Sequence, residues 1–128
     1  MSCYSIQPGE IYIKDVDVLR GIFDKIYHNT LKDIITFVAT EFGIVITESY
    51  RKMRHGNDLH GTVPVRAIDI RTWCYPSKSD PQYIENEVNC RWFYDISRPN
   101  KFCAILHDSG RGEHIHLQVC GATIGRKF

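Results

Sequence analysis

The sequence predicts a single α+β domain over residues 1–128, in which an antiparallel sheet is covered on one face by helices. A chain of 128 residues has the length of one domain that can bury a core without disulfides or metals as staples. Helical and strand patterns do not alternate regularly along the chain, which argues against a parallel βαβ arrangement. Two strand patterns near the C-terminus are separated by a short glycine-containing loop, and such a hairpin pairs antiparallel strands.

The first part of the chain carries two helical patterns and one strand. Apolar residues recur at three- and four-residue spacing over 15–43, and the pattern is interrupted near Asn29. We therefore predict two short helices, the second of which ends at Gly43. The β-branched segment 44–50 predicts a strand, and glycines with a proline make 51–65 a loop.

The second part of the chain predicts one helix and three strands. Residues 66–75 form a strand pattern, and a third helix is expected to begin at Pro81 with Asp80 as its N-cap. The core face of this helix is predicted to contain Tyr83, Ile84, Val88, Trp92 and Phe93. Segments 101–108 and 114–120 are predicted to form the terminal hairpin.

Composition and charge disfavour several classes of partner. The apolar fraction of 43% and the charged fraction of 24% are ordinary for globular proteins. A net charge of +1 gives no bulk attraction to nucleic acid or to an anionic membrane, so neither is an expected partner. No signal peptide and no apolar run near the length of a membrane span is present, which predicts a cytoplasmic protein without membrane insertion. The five cysteines lack a C-x-x-C pair and are expected to be reduced thiols.

The segment "RGEHIHLQV", residues 111–119, places two histidines on one face of a predicted strand. Side chains alternate along a strand, so His114 and His116 project into the same space. Taken alone, this pattern also fits a polar outer face of the sheet. Other residues are needed to decide between a polar outer face and a metal or catalytic role.

Two further residues extend the histidine pattern to a possible metal site. Asp69 interrupts the apolar segment "AIDI", where a buried carboxylate needs a partner or a cation. The alternative partner is an arginine, Arg66 or Arg71. His60 lies upstream in a glycine-containing loop, and with Asp69 and His116 it supplies two nitrogens and one oxygen. Catalytic zinc has such a ligand set and keeps one position open, whereas structural zinc is usually closed by four ligands.

The segments "ITESYRKMRHGNDLHGTVPVRAIDIR" and "EHIHLQV" together resemble the family of zinc D-alanyl-D-alanine carboxypeptidases and L-alanyl-D-glutamate endopeptidases, especially its short phage-encoded members. The similarity extends over about residues 44–119. It implies the hedgehog/DD-peptidase fold and an endolysin-like, zinc-dependent hydrolysis of an amide bond in the stem peptide of bacterial peptidoglycan. If the chain is phage-encoded, the expected location is the cytoplasm of the bacterial host.

The resemblance also implies roles for individual residues. Arg51 matches the arginine that binds the substrate peptide and helps to stabilise the oxyanion. His114 matches a group that supports the transition state, and Glu113 matches the acidic residue that serves as general base in some relatives. The metal ligands implied by the resemblance are His60, Asp69 and His116.

Two departures from the family pattern leave alternatives open. Eight residues separate His60 from Asp69 where the family has six, so the intervening loop must bulge, and His55 is a second candidate ligand. Strand alternation directs Glu113 away from His114 and His116 unless the chain bends before it. In that case the base is expected among His107, Asp108 and Glu48.

Two other functional classes remain open from the sequence. One is a catalytically inactive phage virion or assembly protein that retains the peptidase scaffold. The other is a domain that only binds a partner and holds no zinc. The sequence does not determine which peptide bond is cut, and it does not determine the oligomeric state, for which a monomer is the expectation.

Overall fold

The structure is a computed structural model that describes residues 5–54, 56–108, 110 and 112–125. Within them the strands are Ile11–Ile13 (β1), Ile44–Glu48 (β2), Ala67–Arg71 (β3), Trp92–Phe93 (β4), Ala104–Asp108 (β5), Glu113–Gln118 (β6) and Ile124–Gly125 (β7). The α-helices are Val16–Asp24 (α1), Asn29–Phe42 (α2) and Asp80–Arg91 (α3), and a short 3-10 helix, η1, spans Leu59–Gly61.

Five strands form one sheet in the order β1-β2-β3-β6-β5. β1 pairs with β2 in parallel, and the other neighbours in this sheet are antiparallel. The predicted α+β class with a mostly antiparallel sheet is therefore confirmed. The sequence analysis did not predict the edge strand β1, the 3-10 helix η1 or the small ribbon in which β4 pairs with β7.

The core lies between the sheet and the helices. Alternate residues of the central strands, Ile68 and Ile70 on β3 and Ile115 and Leu117 on β6, are fully buried. The helices contribute buried Leu31, Ile34, Val38, Ile84 and Val88 to the same cluster. Burial of each such side chain is worth about 1.5–3 kcal/mol. Because strand side chains alternate, the residues between them face the other side of the sheet.

The third helix differs from its prediction at both ends. Ser79, and not Asp80, is the residue that precedes the helix, because the Asp80 carboxylate accepts a hydrogen bond from the Ser77 N–H at 2.9 Å instead of capping forward. The helix ends at Arg91, since Trp92 and the residue after it pair with β7 as β4. The expected core face is correct only in part: Ile84 and Val88 are buried, whereas Tyr83 is exposed.

The described cysteines are free thiols. Cys74, Cys103 and Cys120 are buried, and Cys90 is exposed; Cys3 lies outside the described residues. Burial raises the pKa of the Cys103 thiol to about 12. In the part of the chain that the structure describes, no helix has both the length and the apolar character that a membrane crossing requires.

Candidate metal centre

Three side chains from separate parts of the chain meet on the face of the sheet opposite the core. Asp69 Oδ1 lies 2.9 Å from His116 Nδ1 and 3.5 Å from His60 Nε2. One potential ligand atom from each residue lies within 4.8 Å of the other two. The structure thus brings together His60, Asp69 and His116, which the sequence proposed as metal ligands.

The pairing of β3 with β6 places two of these residues side by side. Asp69 and His116 are partners in the antiparallel register, so their side chains leave the sheet on the same face. Their neighbours along the strands, Ile68 and Ile115, point into the core on the other face and are completely buried. The buried apolar face fixes this register, because a slip by one residue would exchange the two faces.

His60 reaches the site from η1 and is held in one orientation. Its side chain is almost completely buried, and Nδ1 lies 3.0 Å from the carbonyl oxygen of Ser49. A carbonyl can only accept, so Nδ1 carries the proton and donates it. Nε2 is then the nitrogen that faces Asp69, at 3.5 Å from Oδ1, and it is the ring atom that a metal ion would use; backbone carbonyls commonly orient metal-binding imidazoles in this way.

The long loop between His60 and Asp69 closes through hydrogen bonds of Thr62. The Thr62 hydroxyl lies 2.9 Å from the Leu59 carbonyl and 3.0 Å from the Pro64 carbonyl, and it accepts the N–H of Arg66 at 3.1 Å. These contacts join both ends of the loop to Thr62 and make the loop compact. The predicted bulge therefore leads directly from η1 into β3.

The two imidazoles determine the electrostatics of Asp69. Burial by itself would raise the pKa of this carboxyl group, but hydrogen bonds and charge from His116 and His60 outweigh burial and hold the pKa well below its ordinary value. Asp69 is therefore a carboxylate at neutral pH. Its partners are the imidazoles, so the alternative of an ion pair with Arg66 or Arg71 is wrong.

Arg51 lies next to the three residues but is held by different groups. Its Nη2 lies 3.2 Å from Asp58 Oδ2, and its Nη1 lies 4.0 Å from Glu48 Oε1. The Arg51 N–H also donates to the His60 carbonyl at 3.1 Å. Nε and Nη1 are buried and have no hydrogen-bond acceptor among the described residues.

His114 and Glu113 occupy different faces at the start of β6. His114 follows the alternation of His116, and its ring centroid lies 4.3 Å from that of His107. Burial lowers the pKa of His107, and the charges of His114 and His116 lower it further. Glu113 is exposed and shares the alternation of Ile115, although Gly112 before it has a φ of 101° that bends the chain.

Two polar residues of the site were not identified from the sequence. Asp58 precedes η1 and accepts hydrogen bonds from the backbone N–H groups of Arg54 and His60 at 3.0 and 3.2 Å. Gln118 Oε1 lies 3.1 Å from His116 Nε2. The available signals were the position of Asp58 two residues before a histidine and that of Gln118 two residues after one. The second candidate ligand, His55, lies outside the described residues.

All six residues that the sequence proposed for the site line one cavity of about 1190 Å³, namely Arg51, His60, Asp69, Glu113, His114 and His116. Comparisons with protein family models, with curated proteins and with solved structures found no match. The function is accordingly inferred from the chemistry of this cavity and from the sequence motifs.

Proposed function

We propose that the protein is a zinc-dependent peptidase that hydrolyses an amide bond in the stem peptide of bacterial peptidoglycan. The observation that carries this proposal is the convergence of His60, Asp69 and His116 in a large cavity, with two nitrogens and one oxygen as donors. The choice of a stem peptide as substrate comes from the family resemblance of the surrounding motifs. D-Ala-D-Ala carboxypeptidase and L-Ala-D-Glu endopeptidase activity are both compatible with it.

The donor set fits zinc better than magnesium or calcium. Imidazole nitrogens suit zinc, whereas the two hard cations prefer oxygen ligands. Both ring nitrogens of His116 face oxygen atoms, yet a neutral imidazole has only one N–H to donate. A metal ion that replaces a proton at one nitrogen removes this mismatch. Zinc held by these three residues would act as a Lewis acid toward water and the substrate carbonyl.

The remaining residues of the cavity supply proton transfer and hydrogen bonding. In the proposed mechanism Glu113 accepts the proton of the attacking water and returns it to the leaving amine. The bend at Gly112 supports this role, because it permits the carboxylate to turn toward the cavity. Arg51 and His114 donate to the oxygen that becomes negatively charged. Loss of one such donor typically lowers the rate by about 100-fold or more.

The test is cleavage of purified muropeptides by zinc-loaded protein. Wild-type protein should release peptide products, and His116→Ala should lose both zinc and cleavage. His28→Asn is the matched control: His28 lies outside the cavity and caps α2, and asparagine preserves a capping acceptor. Absence of cleavage of every bond type by zinc-loaded wild-type protein would overturn the proposal. So would unchanged cleavage by a His116→Ala protein that has lost its zinc.

A second candidate is a phage virion or assembly protein that keeps the metal site without turnover. The observation in its favour is the position of Glu113, which shares the strand alternation of buried Ile115 and Leu117 instead of that of His116. Stoichiometric zinc binding by a wild-type protein that cleaves no muropeptide would support this candidate.

A further inference from the structure

We propose that Arg71 binds a carboxylate of the substrate beside the candidate metal centre, so that the protein selects peptides with a free acidic group next to the scissile amide. This inference rests on the proposed peptidase function and adds a residue that determines specificity. It also predicts that amidation of that acidic group, which leaves the peptide backbone unchanged, weakens binding.

The first step is the position of Arg71 in the sheet. It ends β3 two residues after Asp69, and the two side chains therefore leave the strand on the same face, about 6.6 Å apart along its axis. Arg71 is also the register partner of His114 on β6 and lines the same cavity. A carboxylate bound there would belong to a residue adjacent to the amide at the metal centre.

The second step is the way in which the Arg71 side chain is held. Its guanidinium carbon lies 4.4 Å from the centroid of the Trp73 ring, a cation–π arrangement. In the described part of the chain, no carboxylate lies within ion-pairing distance of this guanidinium. Arg51 and Arg98 in the same cavity differ, because each is paired with an aspartate. Arg71 is thus oriented by an aromatic ring while its charge stays available to a ligand.

The third step is the charge of the whole cavity. The chain has a net charge of only +1, but the cavity lining contains seven lysines and arginines and four carboxylates. Three of these carboxylates are engaged within the protein, Asp58 and Glu48 with Arg51 and Asp69 with the imidazoles. Such a lining attracts an acidic peptide and repels a cationic one. A guanidinium can hold a carboxylate by two parallel hydrogen bonds, whereas a carboxamide offers one acceptor and no charge.

The test compares acidic and amidated forms of one peptide. The probe is the stem pentapeptide L-alanyl-γ-D-glutamyl-L-lysyl-D-alanyl-D-alanine, which contains both candidate scissile bonds, prepared as the free acid, as the α-amide of the glutamate, and as the C-terminal amide. Binding to zinc-loaded protein is measured by calorimetry in a Glu113→Gln background, with KM taken instead of Kd wherever product forms. The protein variants are Arg71→Gln, which keeps a stem to pack on Trp73, and Arg71→Lys. The control is Arg20→Ala, an exposed arginine on α1 outside the cavity.

One of the two amides should bind about tenfold more weakly than the free acid, which corresponds to about 1.4 kcal/mol. Arg71→Gln should weaken binding of the free acid by a similar factor and remove the difference between acid and amide. Arg71→Lys should retain part of that difference, and Arg20→Ala all of it. The inference would be overturned if Arg71→Gln bound the free acid as tightly as the Glu113→Gln protein without it. It would also be overturned if Arg71→Gln kept the full preference for the acid over the amide.

The same peptides separate this inference from the proposed function. If wild-type protein cleaves none of them but the acid preference depends on Arg71, the peptidase proposal fails and the carboxylate site stands. If wild-type protein cleaves them without any dependence on Arg71, the peptidase proposal stands and the carboxylate site fails.

Discussion

Asp58 joins a candidate metal ligand and a candidate substrate-binding residue in one buried network. Its two carboxylate oxygens accept the N–H groups of Arg54 and His60 and contact the guanidinium of Arg51. Asp58 is only 3% exposed, so each of these contacts lies away from bulk water. In the proposed mechanism Asp58 would be a positioning residue, because it would act on the substrate only through Arg51 and His60.

Asp58→Asn should make the protein less stable at neutral pH but less sensitive to acid. Burial raises the pKa of Asp58, yet the N–H groups of Arg54 and His60 and the charge of Arg51 together lower it below its ordinary 3.8. The carboxylate therefore contributes stability above the unfolded-state pKa, and this contribution is lost as the pH falls toward the folded-state pKa. The expected cost of the variant at neutral pH is about 1–3 kcal/mol.

Urea unfolding of both proteins at neutral pH and near pH 3, which lies below the unfolded-state pKa of the carboxyl group, measures this effect. The difference in unfolding free energy between the two proteins should shrink on acidification. Acid removes the stabilisation by the Asp58 carboxylate from the wild-type protein, and the variant lacks this stabilisation at every pH. Equal losses of stability in the two proteins over this interval would show that Asp58 does not have the predicted role.

Glu113→Gln tests the proposed general base. The substitution should lower kcat by about 100-fold or more without changing the zinc content, because a glutamine cannot accept the proton. Glu41→Gln, an exposed residue of α2, is the matched control and should leave the rate unchanged. An unchanged rate in Glu113→Gln would contradict the assignment and transfer the base role to His107, Asp108 or Glu48.

At the scale of the elements, alternation along single strands could be predicted and pairing between strands could not. The common face of His114 and His116 follows from the two-residue period of one strand. That β3 and β6 lie side by side depends on contacts distant in sequence, and only this pairing places Asp69 next to His116. The edge strand β1 was missed because it has three residues and pairs in parallel with the distant β2.

The position of η1 depends on close packing at Gly61. A Cβ atom at this glycine would lie 2.4 Å from the Met53 side chain, 2.7 Å from the Met53 backbone nitrogen and 3.0 Å from the Arg51 carbonyl. The backbone atoms cannot move away without displacing the segment that precedes η1. Gly61→Ala should therefore destabilise the protein by about 1–3 kcal/mol and weaken zinc binding through the adjacent His60.

Gly56→Ala provides the control in the same loop, since a Cβ atom there meets nothing within 4 Å. Chemical denaturation and zinc titration of both variants would measure the difference. The packing argument would be refuted by a Gly61→Ala protein that matches Gly56→Ala in both stability and zinc affinity.

At the scale of the whole molecule, the helices cover one face of the sheet and leave the other for the polar site. The candidate ligand set could be predicted from the sequence, because motifs and strand alternation identify residue types and the directions of their side chains. The network around Asp58, the contact of Gln118 with His116 and the closure by Thr62 were not accessible, because each depends on the folded path of a loop or on a neighbouring side chain.

Zinc should stabilise the folded chain, because the three ligands converge only when β3, β6 and η1 are assembled. At a free zinc concentration one hundred times Kd, the expected gain is about 2.7 kcal/mol. Thermal unfolding should show a higher Tm with zinc than with EDTA for the wild-type protein and little change for Asp69→Asn. An equal zinc-dependent shift in Asp69→Asn would locate the bound metal elsewhere.

The most direct measurement is a crystal structure of the zinc-loaded protein with anomalous diffraction recorded at the zinc absorption edge. The account predicts one strong anomalous peak per chain, within about 2.0–2.2 Å of a ring nitrogen of His60, a ring nitrogen of His116 and a carboxylate oxygen of Asp69. Zinc bound only at other residues, with Asp69 still in direct contact with both imidazoles, would contradict it.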